Sequence, residues 1–252
     1  MTQQEFTSEE TATAITVGAA QRPGTDSEES EKAGLGSVCA DGYDVQHRGP
    51  EVSAAVVDGA GHHLDTVRYS TTVPTTITQL GMVLGGVTAL TTAGRMAEAY
   101  SHVPHASAVY ANAAPGRPTA IHWIGDCRAY GWRDGDGLTQ WSTDQTMGQW
   151  LRVNGGVPAE IAARHDNWSR LGLRQACATT CRQVEIPEDT PLVLLCSDGI
   201  SDQVDQEVAE ELCRKHRDSP QALADALVAA ATQDEDGYRD DATVVILLRH
   251  TN

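Results

Sequence analysis

The chain is short of cationic side chains. Its 252 residues include 18 Lys and Arg against 35 Asp and Glu, so the formal net charge is −17 at pH 7 and the sequence pI is near 4.7. Such a surface repels the phosphates of nucleic acids and of anionic lipids, so we expect the protein to bind neither nucleic acids nor membranes. Metal cations and basic partners match this charge better, although a plain solvated surface also accounts for it.

Long apolar runs are absent as well. No stretch approaches the roughly 18 apolar residues that a membrane-spanning helix needs, and the first ten residues, MTQQEFTSEE, lack the charged start and apolar segment of a secretory signal. The six cysteines show no zinc-type spacing, since only Cys177 and Cys181 are close together. We therefore expect a cytoplasmic protein whose scattered thiols are buried.

The rest of the composition suits one folded domain. Hydrophobic residues make up 40% and charged residues 21% of the chain, which is typical of a soluble globular protein with a sizeable core. The polar residues 1–12 are predicted to be a disordered tail, and residues 13–252 a single domain.

Strand patterns outnumber helix patterns along the chain. Short β-branched or apolar segments predict strands at 13–20, 35–40, 52–57, 107–113, 119–124, 128–133, 138–142, 181–186, 192–196 and 240–248. Within residues 64–102, apolar residues recur at helical spacing from Leu80 to Leu90, and Pro74 marks a start or a kink. Further helices are predicted at 145–154, 158–164 and 204–212, and from Ser219 onward. Because the strands cluster in runs, the predicted fold class is α+β.

Aspartates lie at the ends of four predicted strands. The segments are VVDGAGH at 56–62, WIGDCRAY at 123–130, LLCSDGISD at 194–202 and YRDDATVVIL at 238–247. Such aspartates face the edge of a sheet, and adjacent glycines allow close backbone approach, so carbonyl groups also become available as ligands. A single Asp-Gly is usually just a turn, so the inference rests on the four segments together.

Grouped carboxylates repel one another unless a cation neutralises them. Oxygen donors with few histidines and no organised cysteines favour Mg²⁺ or Mn²⁺ over zinc or copper. The four segments together therefore favour a metal site over four separate turns.

Five segments, in this order, resemble motifs of the metal-dependent serine/threonine protein phosphatases, the PPM or type 2C family, in its bacterial form. They are DGAGH at 58–62, GDCRAY at 125–130, STDQT at 142–146, SDGISD at 197–202 and DDATV at 240–244. Each motif is weak alone, but five in order are specific, and the similarity runs from about residue 13 to residue 248.

The resemblance implies an αββα four-layer sandwich, in which two antiparallel sheets are flanked by helices. It implies that Asp58, Asp198 and Asp240 are direct ligands of two Mn²⁺ or Mg²⁺ ions, together with the carbonyl of Gly59. Two such ions roughly 3.5–4 Å apart lower the pKa of a bridging water and hold it as hydroxide for in-line attack on phosphorus. This chemistry needs no protein nucleophile, in agreement with the absence of a Ser-His-Asp or reactive Cys-Arg signature. For the third, weaker ion that many bacterial members bind, the resemblance implies three ligands: Asp126, Asp198 and Asp202.

The first family motif is the least well matched. Arg22 is the candidate for the arginine that binds phosphate through its planar fork, and Asp26 is the candidate metal ligand if one residue has been deleted. The alternative for Arg22 is an exposed arginine that binds no phosphate, and the alternative for Asp26 is a loop aspartate that binds no metal. Ala60 stands where eukaryotic members have a general-acid histidine. His62 lies close by in the sequence and is therefore a candidate general acid. The alternative is that His62 only begins a helix and has no catalytic role.

The favoured hypothesis is a Mn²⁺- or Mg²⁺-dependent enzyme that hydrolyses phosphoserine and phosphothreonine on proteins. Its expected setting is cytoplasmic signal transduction, with a phosphorylated protein as partner, a cognate Ser/Thr kinase in the same pathway, and the enzyme itself as a monomer. The alternative is a pseudophosphatase that serves as a binding or regulatory module, because its first motif is eroded. A third hypothesis is hydrolysis of a small phosphorylated metabolite on the same scaffold.

Overall fold

Two five-stranded antiparallel sheets form the centre of the computed structural model, which describes residues 15–25, 38–234 and 236–250. The strands are β1 Ile15–Arg22, β2 Asp41–Arg48, β3 Glu51–Gly59, β4 Ala106–Ala113, β5 Thr119–Ile124, β6 Arg128–Arg133, β7 Gly137–Gln140, β8 Arg182–Ile186, β9 Leu192–Cys196 and β10 Ala242–Arg249. The first sheet has the order β1-β10-β9-β6-β7, and the second has the order β2-β3-β4-β5-β8.

Helices cover the outer face of each sheet. The α-helices of the described residues are α1 Leu64–Leu84, α2 Gly86–Met96, α3 Met147–Asn154, α4 Ala159–Ala163, α5 Asp198–Ser201, α6 Gln206–Lys215 and α7 Pro220–Ala230. Helices α1 and α2 pack on the second sheet, whereas α6 and α7 pack on the first. Within the described residues no helix is long and apolar enough to cross a membrane.

Three apolar layers hold the four structural layers together. Strand β10 shows how, because all eight of its residues are buried. Val244 and Ile246 pack toward α6 and α7, whereas Val245 and Leu247 face the other sheet. Alternating residues of a strand point to opposite faces, so a strand covered on both sides is apolar throughout. The third layer lies between the second sheet and α1 and α2, and the predicted αββα sandwich is confirmed.

Strand β2 corrects the sequence prediction. A strand was expected at 35–40, but residues 38–40 have no regular structure and the strand follows at 41–48. It is an edge strand that pairs only with β3. Its sequence, DGYDVQHR, is mostly polar, as edge strands often are, so hydrophobicity alone did not reveal it. The tail at 1–12 lies outside the described residues.

Helix α1 also differs from expectation. It runs through Pro74 and ends at Gly85, whose φ of 85° lies in the left-handed region open to glycine. The predicted stripe included Val83 and Leu84, but these side chains are 69% and 56% exposed. The break at Gly85 places the apolar positions before and after it on two different helices.

Candidate metal centre

Four of the predicted ligands meet in one cavity at an end of the two sheets. The cavity has a volume of about 210 Å³, and its lining includes Asp58, Asp126, Asp198 and Asp240. Asp58 ends β3, Asp126 lies between β5 and β6, Asp198 begins α5 after β9, and Asp240 precedes β10. Because these elements are neighbours within the sandwich, aspartates that are distant in sequence become adjacent. Gly59 also lines the cavity.

Two glycines allow the cavity walls to approach each other. Gly125 has a φ of 92°, and a Cβ there would lie 2.1 Å from the Oγ of Ser107. At Gly199 a Cβ would lie 2.0 Å from the carbonyl oxygen of Asp241. Real Cβ atoms do not approach so closely, so a side chain at either position would push apart the elements that carry the aspartates.

Burial and mutual repulsion raise the pKa values of the cavity carboxyls. The pKa of Asp58 lies well above its ordinary value because the group is desolvated, and the charges of Asp198, Asp41 and other aspartates add to this. The pKa of Asp198 is raised to about 7 by burial, then by Asp240 and Asp126. Burial likewise raises the pKa values of Asp126 and Asp240. A bound cation would reverse this balance, because opposite charge favours the ionised carboxylate.

Asp41 is a further carboxylate beside this cavity, and the sequence prediction missed it. It lies directly opposite Asp58 in the β2–β3 register and is 2% exposed. Its Oδ2 has no hydrogen-bond partner in the part of the chain that is described, and its pKa is raised by burial, then by the charges of Asp241 and Asp198. Asp26, to which the prediction had assigned a first-motif carboxylate, lies outside the described residues.

The aspartate after Asp240 has a structural role. Asp241 is 3% exposed and accepts hydrogen bonds from the backbone N–H groups of Gly24, at 2.6 Å, and Ala40, at 2.5 Å. It therefore joins the backbone on both sides of residues 26–37, which lie outside the described part of the chain, to the start of strand β10. Its Oδ2 also lies 3.1 Å from the Nε2 of His62.

His62, the predicted general acid, lines the cavity. The contact between its Nε2 and the carboxylate of Asp241 orients the imidazole ring. A second histidine, His105, also lines the cavity, and its Nε2 is buried without a hydrogen-bond partner among described residues. Burial lowers the pKa of His105, which favours the neutral imidazole.

Arg22 is not brought to the cavity. Its Nη1 donates to the carbonyl oxygens of Val228, at 3.2 Å, and Ala231, at 3.3 Å, at the end of α7. Helix C-termini present carbonyls without intrahelical donors, and these attract a guanidinium. The placement gives Arg22 a helix-capping contact rather than the predicted contact with phosphate.

Asp202 forms an ion pair with Arg128 instead of lining the cavity. Its Oδ1 lies 2.9 Å from the Nη1 of Arg128, which also pairs with Asp144 at 2.7 Å. Asp202 does not line the cavity, whereas Asp126 does and accepts a 2.5 Å hydrogen bond from Ser107. Of the three residues expected to bind a third ion, the structure brings together Asp126 and Asp198.

The donor set suits a hydrated hard cation. Carboxylates and a backbone carbonyl are oxygen ligands of the kind that Mg²⁺ and Mn²⁺ prefer. In the described part of the chain no three His, Cys, Asp or Glu side chains lie close enough together to hold an ion by themselves. Mg²⁺ usually keeps several waters and takes only one or two carboxylates, and the 210 Å³ cavity leaves room for that water.

Comparison with known proteins supports the fold. No protein-family model matches the chain, and no curated protein is significantly similar to it. Among solved structures, the PPM Ser-Thr phosphatase MsPP from Mycobacterium smegmatis, in complex with cacodylate, has a TM-score of 0.68 at 20% identity, over 94% of this chain and 99% of that one. Serine/threonine phosphatase Stp1 from Staphylococcus aureus has a TM-score of 0.74 at 14% identity, over 95% and 97%.

A third structure is the catalytic domain of the serine/threonine protein phosphatase PstP, in complex with two manganese ions. Its TM-score is 0.67 at 21% identity, over 94% of this chain and 99% of that one. At such identities the similarity establishes the architecture: the chain has the fold of the bacterial PPM phosphatases. The fold implied by the five sequence motifs is confirmed.

Proposed function

We propose that this chain is a Mn²⁺- or Mg²⁺-dependent phosphatase acting on phosphoserine and phosphothreonine in proteins. The observation that carries the proposal is the convergence of Asp58, Asp126, Asp198 and Asp240 on one cavity. The fold is shared with metal-dependent phosphatases, one of which was solved with two manganese ions. A scaffold of this kind with an oxygen-rich cavity is suited to phosphoryl transfer.

The protein residues would hold and orient the reactants. Asp58, Asp198 and Asp240, with the carbonyl of Gly59, would hold two cations, and Asp126 with Asp198 would hold a third. Bound divalent cations would supply Lewis acidity, lowering the pKa of water and neutralising charge on the phosphoryl oxygens. Asp58 and Asp198 are half-buried at the ends of packed elements, which fixes the site before substrate arrives and limits the reorganisation that the reaction needs.

The hydroxyl groups that line the cavity are engaged in hydrogen bonds. Ser107 donates to Asp126, and Ser169 donates to the carbonyl oxygen of Leu171 at 3.0 Å. Neither serine hydroxyl has a hydrogen bond to a histidine that would activate it as a nucleophile, among the contacts of the described residues. This supports direct attack by water rather than a phosphoenzyme.

We assign proton donation to His62. It lines the cavity, and the carboxylate of Asp241 orients its ring. A proton donor matters most for a poor leaving group such as a serine or threonine alkoxide, and little for p-nitrophenolate. His62→Ala should therefore slow hydrolysis of a phosphothreonine peptide by roughly 10²–10⁴-fold and change the rate on p-nitrophenyl phosphate much less. Equal losses on both substrates would contradict this assignment.

A second cleft supports a protein rather than a metabolite as substrate. It has a volume of about 530 Å³ and is lined by Trp150, Val153, Arg170 and Arg182 among others. Trp150 and Val153 are 42% and 71% exposed, and neither arginine forms an ion pair with a described residue. Residues 167 and 169 line the metal cavity and residues 170 and 171 line the cleft, so one substrate segment could contact both.

A phosphoprotein substrate requires a kinase to make it. We therefore propose a role in signal transduction, opposite a Ser/Thr kinase, with the cytoplasm as location and a monomer as the active form. The competing proposal is a pseudophosphatase, which the capping position of Arg22 favours, because the cavity then lacks the predicted phosphate-binding arginine.

Phosphate release tests the proposal directly. Wild type should hydrolyse p-nitrophenyl phosphate and a phosphothreonine peptide with Mn²⁺ and stop when EDTA is added. Asp198→Ala should abolish turnover, whereas Asp189→Ala, which removes an exposed partner of Arg133, should leave it unchanged. No turnover by a folded wild type with Mn²⁺ or Mg²⁺ would exclude the enzyme and leave the pseudophosphatase.

A further inference from the structure

Two cysteines lie one turn apart just before β8, and the structure places them in opposite environments. The backbone N–H of Cys181 donates to the carbonyl oxygen of Cys177 at 2.9 Å, which closes a helical turn. Cys181 is 8% exposed and belongs to the apolar layer under α1 and α2. Cys177 is exposed, so the expectation that the thiols are all buried is wrong at this position.

The sulfur of Cys177 lies among hydrogen-bonding groups. Its Sγ is 3.1 Å from the Oγ1 of Thr179 and 3.2 Å from the Oγ1 of Thr180. The Thr180 hydroxyl donates its one proton to the carbonyl oxygen of Gln175 at 2.6 Å, so Thr179 is the side-chain donor to the sulfur. The hydrogen bond from Thr179, and then those from the backbone of the same turn, lower the pKa of Cys177 below that of an ordinary thiol. More of this exposed thiol is therefore thiolate at neutral pH, which is the form that reacts with oxidants.

The other cysteines do not share this property. Burial raises the pKa of each of them, namely Cys39, Cys127, Cys181, Cys196 and Cys213. Buried thiols with raised pKa values are poorly reactive. The structure therefore separates one exposed thiol from four buried ones and from the half-buried Cys39, and it places the buried thiol of Cys181 a single turn away.

We propose that Cys177 is a peroxide-oxidised cysteine and that Cys181 is its resolving partner. The Cys177 thiolate attacks one oxygen of hydrogen peroxide; the S–O bond forms, the O–O bond breaks, and the leaving hydroxide takes a proton to become water. Cys181, as it loses its proton, then attacks the Cys177 sulfenic acid, so the S–S bond forms, the S–O bond breaks and a second water leaves. Two thiols are oxidised and one peroxide is reduced.

Closing this disulfide must move the turn. Positions i and i+4 of a helical turn have Cβ atoms about 5–6 Å apart, whereas a disulfide needs about 3.8 Å. The turn must therefore tighten and draw the Cys181 side chain toward the surface, away from the layer in which it packs. Thr180 lies between the two cysteines and moves with them.

The turn that would move is connected to the metal cavity by hydrogen bonds of Gln145. The carbonyl oxygen of Thr180 accepts a 2.7 Å hydrogen bond from the Nε2 of Gln145. The Oε1 of Gln145 accepts from the backbone N–H of Gly125 at 2.8 Å, and the Gln145 N–H donates to the Gly125 carbonyl oxygen at 3.0 Å. Gly125 precedes Asp126, so oxidation should loosen the loop that carries this cavity carboxylate.

Mass spectrometry of the whole chain tests the modification independently of activity. Reduced protein is treated with hydrogen peroxide, with and without dimedone, which traps sulfenic acids. Wild type should lose two hydrogen atoms and give one Cys177–Cys181 linked peptide. Cys181→Ser should take up dimedone at Cys177, and Cys177→Ser should remain unmodified, as should residues 39 and 213 in every variant.

Other results would overturn the proposal. Six free thiols in treated wild type, equal oxidation of Cys177→Ser, or a bridge that excludes Cys177 would each do so. Because Cys181 packs in the core, Cys181→Ala serves as a second variant if Cys181→Ser fails to fold, and it should give the same dimedone adduct.

The predicted effect of this disulfide on the metal cavity rests on the proposed function, and it is measured separately, as phosphatase turnover. Oxidation should lower the Mn²⁺-dependent turnover of p-nitrophenyl phosphate by roughly two- to thirtyfold, the range of coupling through packed networks, and a dithiol reductant should restore it. Cys177→Ser should keep its rate under peroxide. Unchanged turnover in the disulfide form would overturn the coupling, whereas inactive reduced protein would instead refute the proposed phosphatase.

Discussion

At the level of single residues, buried negative charge decides how the candidate site behaves without metal. Asp41, Asp58 and Asp198 are desolvated and repel one another, and each has a raised pKa. Carboxylates arranged in this way destabilise the protein unless they bind protons or cations. Stability is therefore predicted to depend on both pH and metal.

Asp41 provides the sharpest residue-scale test. Asp41→Asn removes a buried charge beside Asp58 with little change in shape, so at pH 8 the metal-free variant should unfold at a higher temperature than wild type. A gain of 1 kcal/mol corresponds to about 2–4 °C for a chain of this size. The increase in melting temperature on adding Mn²⁺ should be smaller in the variant, because a carboxylate that favours the cation is missing.

Asp189→Asn is the matched control for this substitution. Asp189 lies on the surface, where it pairs with Arg133 at 2.6 Å with 68% of its side chain exposed. Exposed pairs contribute little to stability, so both melting temperatures should match those of wild type. A metal-free Asp41→Asn protein that is less stable than wild type would show that Asp41 is satisfied by hydrogen bonds instead.

Residue identities could be predicted from sequence only where the signal is local. Asp58 and Asp198 follow apolar strands and precede glycine, a pattern that is visible without a structure. Asp41 is the first residue of its strand instead of following one, and that strand is mostly polar. The partners of Arg22 at the end of α7 and of Asp202 at Arg128 are tertiary contacts, which no local pattern reveals.

At the level of elements, the cleft beside α3 should select the substrate. Replacing Arg170 and Arg182 by Glu should raise KM for a phosphothreonine peptide with acidic flanking residues and leave p-nitrophenyl phosphate turnover unchanged. The reason is that the small substrate does not reach the cleft, whereas the peptide would lose two attractive charges. Steady-state kinetics at low and moderate salt measure the change, which should shrink as salt rises.

Arg48→Glu provides the control for charge. Arg48 is an exposed arginine at the end of β2, and the substitution alters net charge without touching the cleft. It should leave both substrates unaffected. If Arg48→Glu and the cleft variants raise KM equally, then net charge and not the cleft attracts the peptide.

Most elements of the fold could be predicted because their apolar patterns are strong. The central strands β9 and β10 are buried on both faces and read as continuous apolar runs. The exceptions have physical reasons: β2 is a polar edge strand, and Pro74 is accommodated within a long packed helix. The order of strands within each sheet depends on long-range pairing, which the sequence pattern does not specify.

At the level of the whole molecule, the metal-free protein should lose stability as pH rises. In the folded chain the pKa of Asp198 is raised to about 7 from an unfolded value of 3.8. Because the folded state binds the proton more tightly, this contribution to stability is complete below about pH 4 and is lost as pH rises through about 7. Asp58, Asp126 and Asp240 shift in the same direction.

Thermal unfolding in EDTA at several pH values measures this effect. The melting temperature should fall between pH 5 and pH 8, and saturating Mn²⁺ should remove most of the fall, because a ligand of the native state stabilises it. The Asp198→Asn variant should show a shallower pH dependence without metal. A melting temperature that is flat across this range, with or without Mn²⁺, would show that these carboxylates do not interact as described.

The net charge of −17 is only partly explained by the cavity. Two divalent cations would offset four of these charges, so most of the acidity belongs to the surface. An acidic surface repels phosphorylated substrates. The bound cations and the arginines of the cleft are therefore the local positive charges that we expect to attract them.

The central claim is that the aspartate cavity binds the metal ions on which phosphate release depends. It is tested most directly by adding Mn²⁺ stepwise to metal-free protein while bound Mn²⁺ per chain and phosphate release from a phosphothreonine peptide are measured together. Turnover should remain near zero at one ion per chain and rise as the second binds, and Asp198→Ala should show neither the second ion nor turnover. Full occupancy by two ions without phosphate release, or turnover that persists without metal, would contradict the account.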